Sequence, residues 1–123
     1  MQVLLAEDDL ATAEMYRMQL TADGFQVALA RDGEKTLELA RELVPDLVVL
    51  DMEMPRLDGI GTLKAIRADA RTKNLPVVVL SNSPASTRME DAYELGIRAW
   101  LVKSATTPIQ LSGILRVMLA TTE

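Results

Sequence analysis

The sequence predicts an α/β fold, a doubly wound parallel sheet of five strands with helices on both faces. Five short apolar runs recur along the 123 residues, and segments with helical spacing separate them. Three of the runs show no alternation between apolar and polar residues, which is typical of strands covered on both faces. Because strand and helix alternate without a low-complexity linker, we expect right-handed crossovers between parallel strands. Residues 1–123 are predicted to form one domain.

Two helices are predicted in the first half of the chain. The first runs from about Asp9 to Asp23 and ends at Gly24, a residue suited to the left-handed conformation after a helix. The second begins after Gly33, and Pro45 ends it because proline cannot continue a helix. The five predicted strands are, in chain order, Val3–Ala6, Phe25–Leu29, Leu47–Leu50, Val77–Leu80 and Ala99–Val102.

Three further helices are predicted in the second half. The third places Ile60, Leu63 and Ile66 on one face, and the fourth runs from about Ser86 to Leu95 before Gly96. The fifth opens with a capping box, in which Thr107 caps the helix, Pro108 fits its first turn and Gln110 reaches back. Its core stripe consists of Leu111, Ile114, Leu115, Met118 and Leu119.

The composition excludes several kinds of chemistry. The chain has no cysteine and no histidine, which excludes thiol chemistry, cysteine zinc sites and the commonest general base. A net charge of −5 without a Lys/Arg cluster argues against a nucleic-acid surface. No apolar run approaches the roughly 20 residues that span a bilayer, and the segment after Met1 does not have the layout expected of a signal peptide. We therefore expect a cytoplasmic protein.

Polar residues follow four of the five predicted strands, where an open α/β sheet binds ligands. Taken by itself, Asp9 is interpreted as a helix cap. Lys103 by itself could neutralise the charge of Asp51 in an ion pair that has only a structural role. A carboxylate that closes a central strand nevertheless needs a neutralising partner, because burial penalises its charged form. The residues concerned are Glu7, Asp8 and Asp9 after strand one, Asp51 and Glu53 after strand three, Ser81 and Asn82 after strand four, and Lys103 and Ser104 after strand five.

The joint pattern indicates a phosphoryl site. Converging carboxylates repel one another, and oxygen ligands without histidine or thiol point to Mg²⁺. Magnesium held by a few carboxylates commonly leaves room for a phosphoryl group. Such a group on Asp51 would be neutralised by Mg²⁺, Lys103 and the Ser81 hydroxyl, which makes Asp51 a nucleophile that forms an aspartyl phosphate.

With these residues in place, the sequence resembles the receiver domain of two-component response regulators over essentially the whole chain. The matching elements are Glu7-Asp8, the segment DMEMPRLDG from Asp51 to Gly59, Ser81 thirty residues after Asp51, and Lys103 twenty-two residues further on. The resemblance implies a CheY-like (flavodoxin-like) fold with strand order 2-1-3-4-5. It also implies a phosphoacceptor domain that catalyses only its own phosphorylation and dephosphorylation.

The resemblance further implies roles for single residues. Asp51 would accept the phosphoryl group, and Ser81 and Lys103 would bind its oxygens. Asp8 would bind Mg²⁺ directly, with Glu7 acting through water and the Glu53 backbone carbonyl as a further contact. The phosphoryl donor would be a sensor histidine kinase or a phosphotransfer protein. Ser81 and an aromatic residue on strand five, here Trp100, would switch the face formed by helix four, strand five and helix five for an effector or a homodimer.

The sequence departs from the family pattern at a few positions, which keep alternatives open. Trp100 stands where tyrosine or phenylalanine is usual, so it is either a switch or a packing or partner-contact residue. Asn82 follows Ser81 in place of a small residue. Ser104 replaces a proline, which leaves the geometry of the Lys103–Ser104 peptide open. The Glu53 side chain could add a metal ligand, hold Lys103 or orient water.

Three other functions compete with the receiver prediction. A flavodoxin-type domain would meet repulsion between FMN phosphate and the acids of Glu7–Asp9, and a haloacid-dehalogenase-type phosphatase would need a second aspartate at Glu53. A receiver-like module that binds partners without phosphorylation remains the alternative. Helix five carries one charge, Arg116, while Ile109 and Val117 fall outside its core stripe. This face is therefore expected to dock a partner through apolar contacts.

Overall fold

Strands and helices alternate in the computed structural model, which describes residues 1–83 and 87–120. The predicted start of the fourth helix at Ser86 lies outside the described residues. The strands are β1 (Gln2–Ala6), β2 (Gln26–Ala30), β3 (Leu47–Asp51), β4 (Val77–Ser81) and β5 (Ala99–Val102). The helices are α1 (Leu10–Ala22), α2 (Gly33–Leu43), α3 (Gly59–Ala68), α4 (Thr87–Glu94) and α5 (Pro108–Ala120), with a short 3₁₀ turn at Lys103–Ala105.

The five strands form one parallel sheet in the order β2-β1-β3-β4-β5, which confirms the predicted topology. Asp51 pairs with Leu80, and Ser81 pairs with Val102, so both polar residues are the last residues of their strands. The carboxyl ends of the strands therefore meet at one edge of the sheet, where the chain reverses its winding direction between β1 and β3.

The core lies on both sides of the sheet, which explains the unbroken apolar runs. Leu4, Val48 and Val79 face the cluster beneath α2, α3 and α4, whereas their neighbours Val3 and Val49 face the cluster beneath α1 and α5. Both sets are fully buried because successive side chains of a strand point to opposite faces. The three central strands consequently have no solvent-facing side.

The helix ends follow the sequence signals. The Asp9 carboxylate accepts hydrogen bonds from the Ala11 and Thr12 amides, which confirms its reading as the cap of α1. At α5 the Thr107 hydroxyl accepts from the Gln110 amide, and the Gln110 side chain accepts from the Thr107 amide. None of the helices in the described ranges is both long and apolar enough to cross a bilayer.

Candidate functional site

Carboxylates from the ends of β1 and β3 meet at the carboxyl edge of the sheet. One oxygen from each of Glu7, Asp8 and Asp51 lies within 4.8 Å of the others. Glu7 and Asp51 are buried, whereas Asp8 is exposed. Asp9 takes no part in this group because its carboxylate caps α1.

Lys103 supplies the positive charge of the site. Its Nζ lies 2.8 Å from Glu7 Oε1 and 3.0 Å from Asp51 Oδ2, and its side chain is mostly buried. Burial by itself lowers the pKa of Lys103, but the adjacent Glu7 and Asp51 carboxylates outweigh that effect and raise it overall. Lys103 is therefore an ammonium group at neutral pH.

The carboxylates around Asp51 bring more negative charge to the site than the single ammonium of Lys103 neutralises. Burial, followed by the neighbouring Glu7 carboxylate, raises the pKa of Asp51 to about 8. The Glu53 amide, which donates to Asp51 Oδ1 over 3.0 Å, and Lys103 act in the opposite direction. The net shift indicates that the site lacks positive charge.

The residues present fit a hard divalent cation. Glu7 Oε1 and Asp51 Oδ2 are buried and accept no hydrogen bond from the described residues, although Lys103 is close enough to form an ion pair with both. Three carboxylates face one ammonium, and every donor atom of the cluster is an oxygen. Such a set suits Mg²⁺ or a similar ion better than a metal that prefers nitrogen or sulfur.

Glu53 occupies the side of the site formed by β4. Its carboxylate accepts from the Ser81 hydroxyl over 3.1 Å and from the Asn82 amide over 2.9 Å. Lys103 is held by Glu7 and Asp51 instead. The suggestion that the Glu53 side chain holds Lys103 is therefore wrong, because the loop after β3 turns that side chain toward β4.

Arg88 of α4 is a residue that sequence reasoning missed. Its Nη2 donates to the Met52 carbonyl over 2.7 Å and lies 3.6 Å from Glu53 Oε2. No local sequence signal marks this arginine, since its role depends on how α4 lies over the loop after β3.

Trp100 lies on the edge strand β5 and is connected by hydrogen bonds to the side of the site formed by β4. Its indole N–H donates to the Ser83 carbonyl over 2.8 Å, and the Ser83 amide donates to the Ser81 hydroxyl oxygen over 3.2 Å. The Trp100 amide donates to the Tyr93 hydroxyl of α4 over 3.2 Å. Beyond β5, the Lys103–Ser104 peptide is trans, as are the other described peptides.

An open groove of about 410 Å³ lies beside Lys103. Met15 and Tyr16 of α1 line it together with Asn82, Lys103 and Thr107. The groove gives a second molecule access to the Lys103 side of the site.

Comparison with known proteins identifies close resemblances over nearly the whole chain. A family model described as the response regulator receiver domain matches residues 3–115. The DNA-binding response regulator MtrA of Mycobacterium tuberculosis is 33% identical over 102 residues, which cover 83% of this chain and 43% of the relative. The chain thus spans about half the length of the curated relatives it matches.

Solved structures give the same picture of the fold. The receiver domain of the Francisella response regulator 1452 superposes with a TM-score of 0.89 at 28% identity, covering 99% of this chain and 98% of that one. The Mn²⁺-bound form of response regulator Rcp1 gives a TM-score of 0.84 at 27% identity, covering 99% and 96% of the two chains.

Proposed function

The chain belongs to the response regulator receiver domain family of two-component signalling, and from this premise we propose that Asp51 is its phosphoacceptor. The observation that carries the proposal is the environment of Asp51. This buried carboxylate ends a central strand, has one oxygen held by the Glu53 amide and has the other beside Lys103 without a hydrogen bond. A receiver domain is a signalling module and generally not an enzyme that acts on a separate substrate.

The proposed reaction transfers a phosphoryl group from a phosphohistidine of another protein. An Asp51 oxygen attacks phosphorus, the P–N bond breaks as the O–P bond forms, and the leaving imidazole takes up a proton. Lys103 neutralises the charge that collects on the phosphoryl oxygens, and the Ser81 hydroxyl can donate to one of them. The same residues would assist hydrolysis of the product, so the chain would catalyse only its own phosphorylation and dephosphorylation.

Mg²⁺ is the proposed cofactor. Asp8 and Asp51 would bind it directly, Glu7 through water, and the Glu53 backbone carbonyl would add a further contact. When bound, the cation would offset the negative charge of the carboxylates and of the incoming phosphoryl group. The buried oxygens of Glu7 and Asp51 that accept no hydrogen bond, and the metal in the Rcp1 structure, support this assignment.

The proposed donor is a sensor histidine kinase or a phosphotransfer protein, which membership of the receiver family supports. The groove along α1, which Lys103 lines, would admit the donor's histidine to the Lys103 side of the site. Residues 1–123 would act as one receiver domain in the cytoplasm, where response regulators typically work. Direct binding of nucleic acid is not part of the proposal, since the net charge of −5 repels phosphate backbones.

Output is proposed to use the face formed by α4, β5 and α5, with Ser81 and Trp100 as the switch residues. The contacts of Trp100 with Ser83 and Tyr93 support a coupling between β5, α4 and the loop that follows Ser81. The alternative, a partner-binding module that works without phosphorylation, leaves the convergence of Glu7, Asp51 and Lys103 unexplained.

Intact-mass analysis after incubation with a small acyl phosphate and Mg²⁺ tests the proposal. The wild type should gain one phosphoryl group, and Asp51→Asn should gain none. Asp58→Asn is the matched control, because Asp58 lies in the same loop and asparagine can still cap α3. An adduct that survives in Asp51→Asn would overturn the assignment, and absence of an adduct from the wild type would favour the partner-binding alternative.

A further inference from the structure

We propose that Glu53 and Arg88 are positioning residues that form a latch on Ser81 in the unphosphorylated domain. The latch would hold the Ser81 hydroxyl on the Glu53 carboxylate and would tie that carboxylate to α4 through Arg88. Phosphorylation would have to open it. This inference rests on the proposed function, since it concerns how the domain reaches and leaves the phosphorylated state.

The first step of the argument is the single proton of the Ser81 hydroxyl. That proton is donated to Glu53 Oε2 over 3.1 Å, and a hydroxyl has only one proton to donate. Ser81 therefore cannot donate to a phosphoryl oxygen on Asp51 until it leaves Glu53. Ser81 is buried at the end of β4, so its hydroxyl depends on protein partners more than on water.

The second step is the position of Glu53 itself. Its amide donates to Asp51 Oδ1, so its backbone is fixed against the acceptor carboxylate. Its own carboxylate is bound by the Ser81 hydroxyl and the Asn82 amide. Glu53 thus presents an anion to the β4 groups that the phosphoryl group would use, and a phosphoryl group on Asp51 would repel it.

The third step connects the latch to α4. One guanidinium nitrogen of Arg88 donates to the Met52 carbonyl over 2.7 Å and lies 3.6 Å from Glu53 Oε2. Displacing the Glu53 carboxylate would remove one of these two attachments of α4. A charge at Asp51 would therefore be felt at α4 without any contact between α4 and the phosphoryl group.

The latch also has a built-in spectroscopic reporter. Ser81 Oγ accepts from the Ser83 amide, and the Ser83 carbonyl accepts from the Trp100 indole. Trp100 is the only tryptophan in the chain, so its fluorescence reports on this hydrogen-bonded path without labelling. Rotation of the Ser81 hydroxyl away from Glu53 should change that signal.

The decisive experiment measures the rate of Asp51 phosphorylation by an acyl phosphate in the Arg88→Ala variant. If Arg88 holds the latch closed, its loss should speed phosphorylation by roughly fivefold, which corresponds to about 1 kcal/mol. Simple electrostatics predicts the opposite sign, because removing a cation near the site should weaken the attraction for an anionic donor. Arg88→Lys should restore most of the wild-type rate, since lysine can still pair with Glu53.

Arg56→Ala is the matched control. Arg56 lies in the loop after β3 that also carries Glu53, but Arg56 forms ion pairs with Asp32 and Glu34. The Arg56→Ala substitution removes one positive charge, as Arg88→Ala does, but leaves the contacts of the latch intact. The rate of Asp51 phosphorylation should therefore be unchanged or lower. The Trp100 emission of unphosphorylated Arg88→Ala should shift toward that of the phosphorylated wild type, whereas Arg56→Ala should retain the wild-type spectrum.

A double-mutant comparison separates a latch on Ser81 from a general charge effect. Glu53→Ala should speed phosphorylation in the wild-type background and have no such effect in the Ser81→Ala background. Equal acceleration in both backgrounds, or an Arg88→Ala rate no faster than that of the wild type, would overturn the latch while the Asp51 adduct still forms. Loss of the adduct from the wild type would instead overturn the proposed function itself.

Discussion

At the scale of single residues, the site is an arrangement of buried charge that is incompletely compensated. Asp51 and Glu7 share the Lys103 ammonium, at 3.0 and 2.8 Å, and both are buried. Two carboxylates on one ammonium leave an excess negative charge that burial makes unfavourable. The site is therefore strained electrostatically in the absence of a cation, and a cation or a neutral replacement should relieve it.

This excess of negative charge predicts that the free energy of unfolding depends on pH, and that Asp51→Asn removes this dependence. The pKa of Asp51 is raised to about 8 in the folded protein, so the folded state binds more protons than the unfolded state from about pH 4 to pH 8. The free energy of unfolding should consequently fall as the pH rises through that window. In chelator-treated protein, Asp51→Asn should be more stable than the wild type by about 1–3 kcal/mol at pH 8.5, and by much less at pH 5.

Urea unfolding at several pH values checks this expectation. Addition of Mg²⁺ should raise the midpoint of the wild type and have a smaller effect on Asp51→Asn, because the variant has lost a metal ligand. A wild type that is more stable than Asp51→Asn at every pH would contradict the assigned charge balance.

The last residue of a strand and the first residue after it could be placed from sequence, whereas the contacts of residues further along the loops could not. The placement of Asp51, Glu7 and Lys103 follows from a rule of parallel sheets, which collect the carboxyl ends of their strands at one edge. Glu53 lies past the end of β3, where strand alternation no longer determines which side a residue faces. Its contact with Ser81 and its pairing with Arg88 arise only from tertiary packing.

At the scale of elements, the loop after β3 is held in place by a close backbone contact. A Cβ at Gly59, the first residue of α3, would lie 2.6 Å from the Met52 Cα and 2.9 Å from the Met52 carbonyl oxygen. The Gly59 amide donates to that carbonyl over 3.1 Å. Glycine is needed here for space, since backbone atoms cannot move aside as a flexible side chain could.

Gly59→Ala should therefore destabilise the fold by about 1–3 kcal/mol and slow phosphorylation, because the displaced loop carries Met52 and Glu53. Gly113→Ala is the matched control: nothing lies within 4 Å of a Cβ there, and the position is inside the exposed face of α5. It should stabilise the protein by about 0.5–1 kcal/mol through helix propensity. Urea unfolding of both variants provides the measurement, and equal stabilities would contradict the predicted role of Gly59.

The bounds of the five strands were predictable to within one residue. The apolar run of strand three was predicted to end at Leu50, but β3 continues to Asp51, which still pairs with Leu80. The run of strand four likewise gains Ser81. Backbone pairing extends one residue past the hydrophobic signal at these two strands, and these added residues face the site.

At the scale of the whole molecule, α5 presents large apolar side chains to solvent. Ile109 and Val117 are 70% and 65% exposed. An apolar groove of about 690 Å³ lies beside them, between β5 and α5, and Leu101 and Met118 are among its walls. The net charge of −5 would repel a second copy in general, but Arg116 is the one charged residue of α5, so α5 itself adds no negative charge to that repulsion.

We expect this face to pair with a second copy of the chain once Asp51 is phosphorylated, since two-fold homodimers are the commonest symmetric assembly. Ile109→Ser combined with Val117→Ser should weaken self-association of the phosphorylated protein by about tenfold or more, because each change removes buried apolar area from the interface.

Met15→Ser with Met18→Ser is the control, since these α1 side chains are comparably exposed, at 55% and 60%. Sedimentation velocity with and without acyl phosphate gives the association constants. Equal association of both double variants and the wild type would exclude α5 as the dimer face, because burial of Ile109 and Val117 is the contribution that distinguishes it from α1.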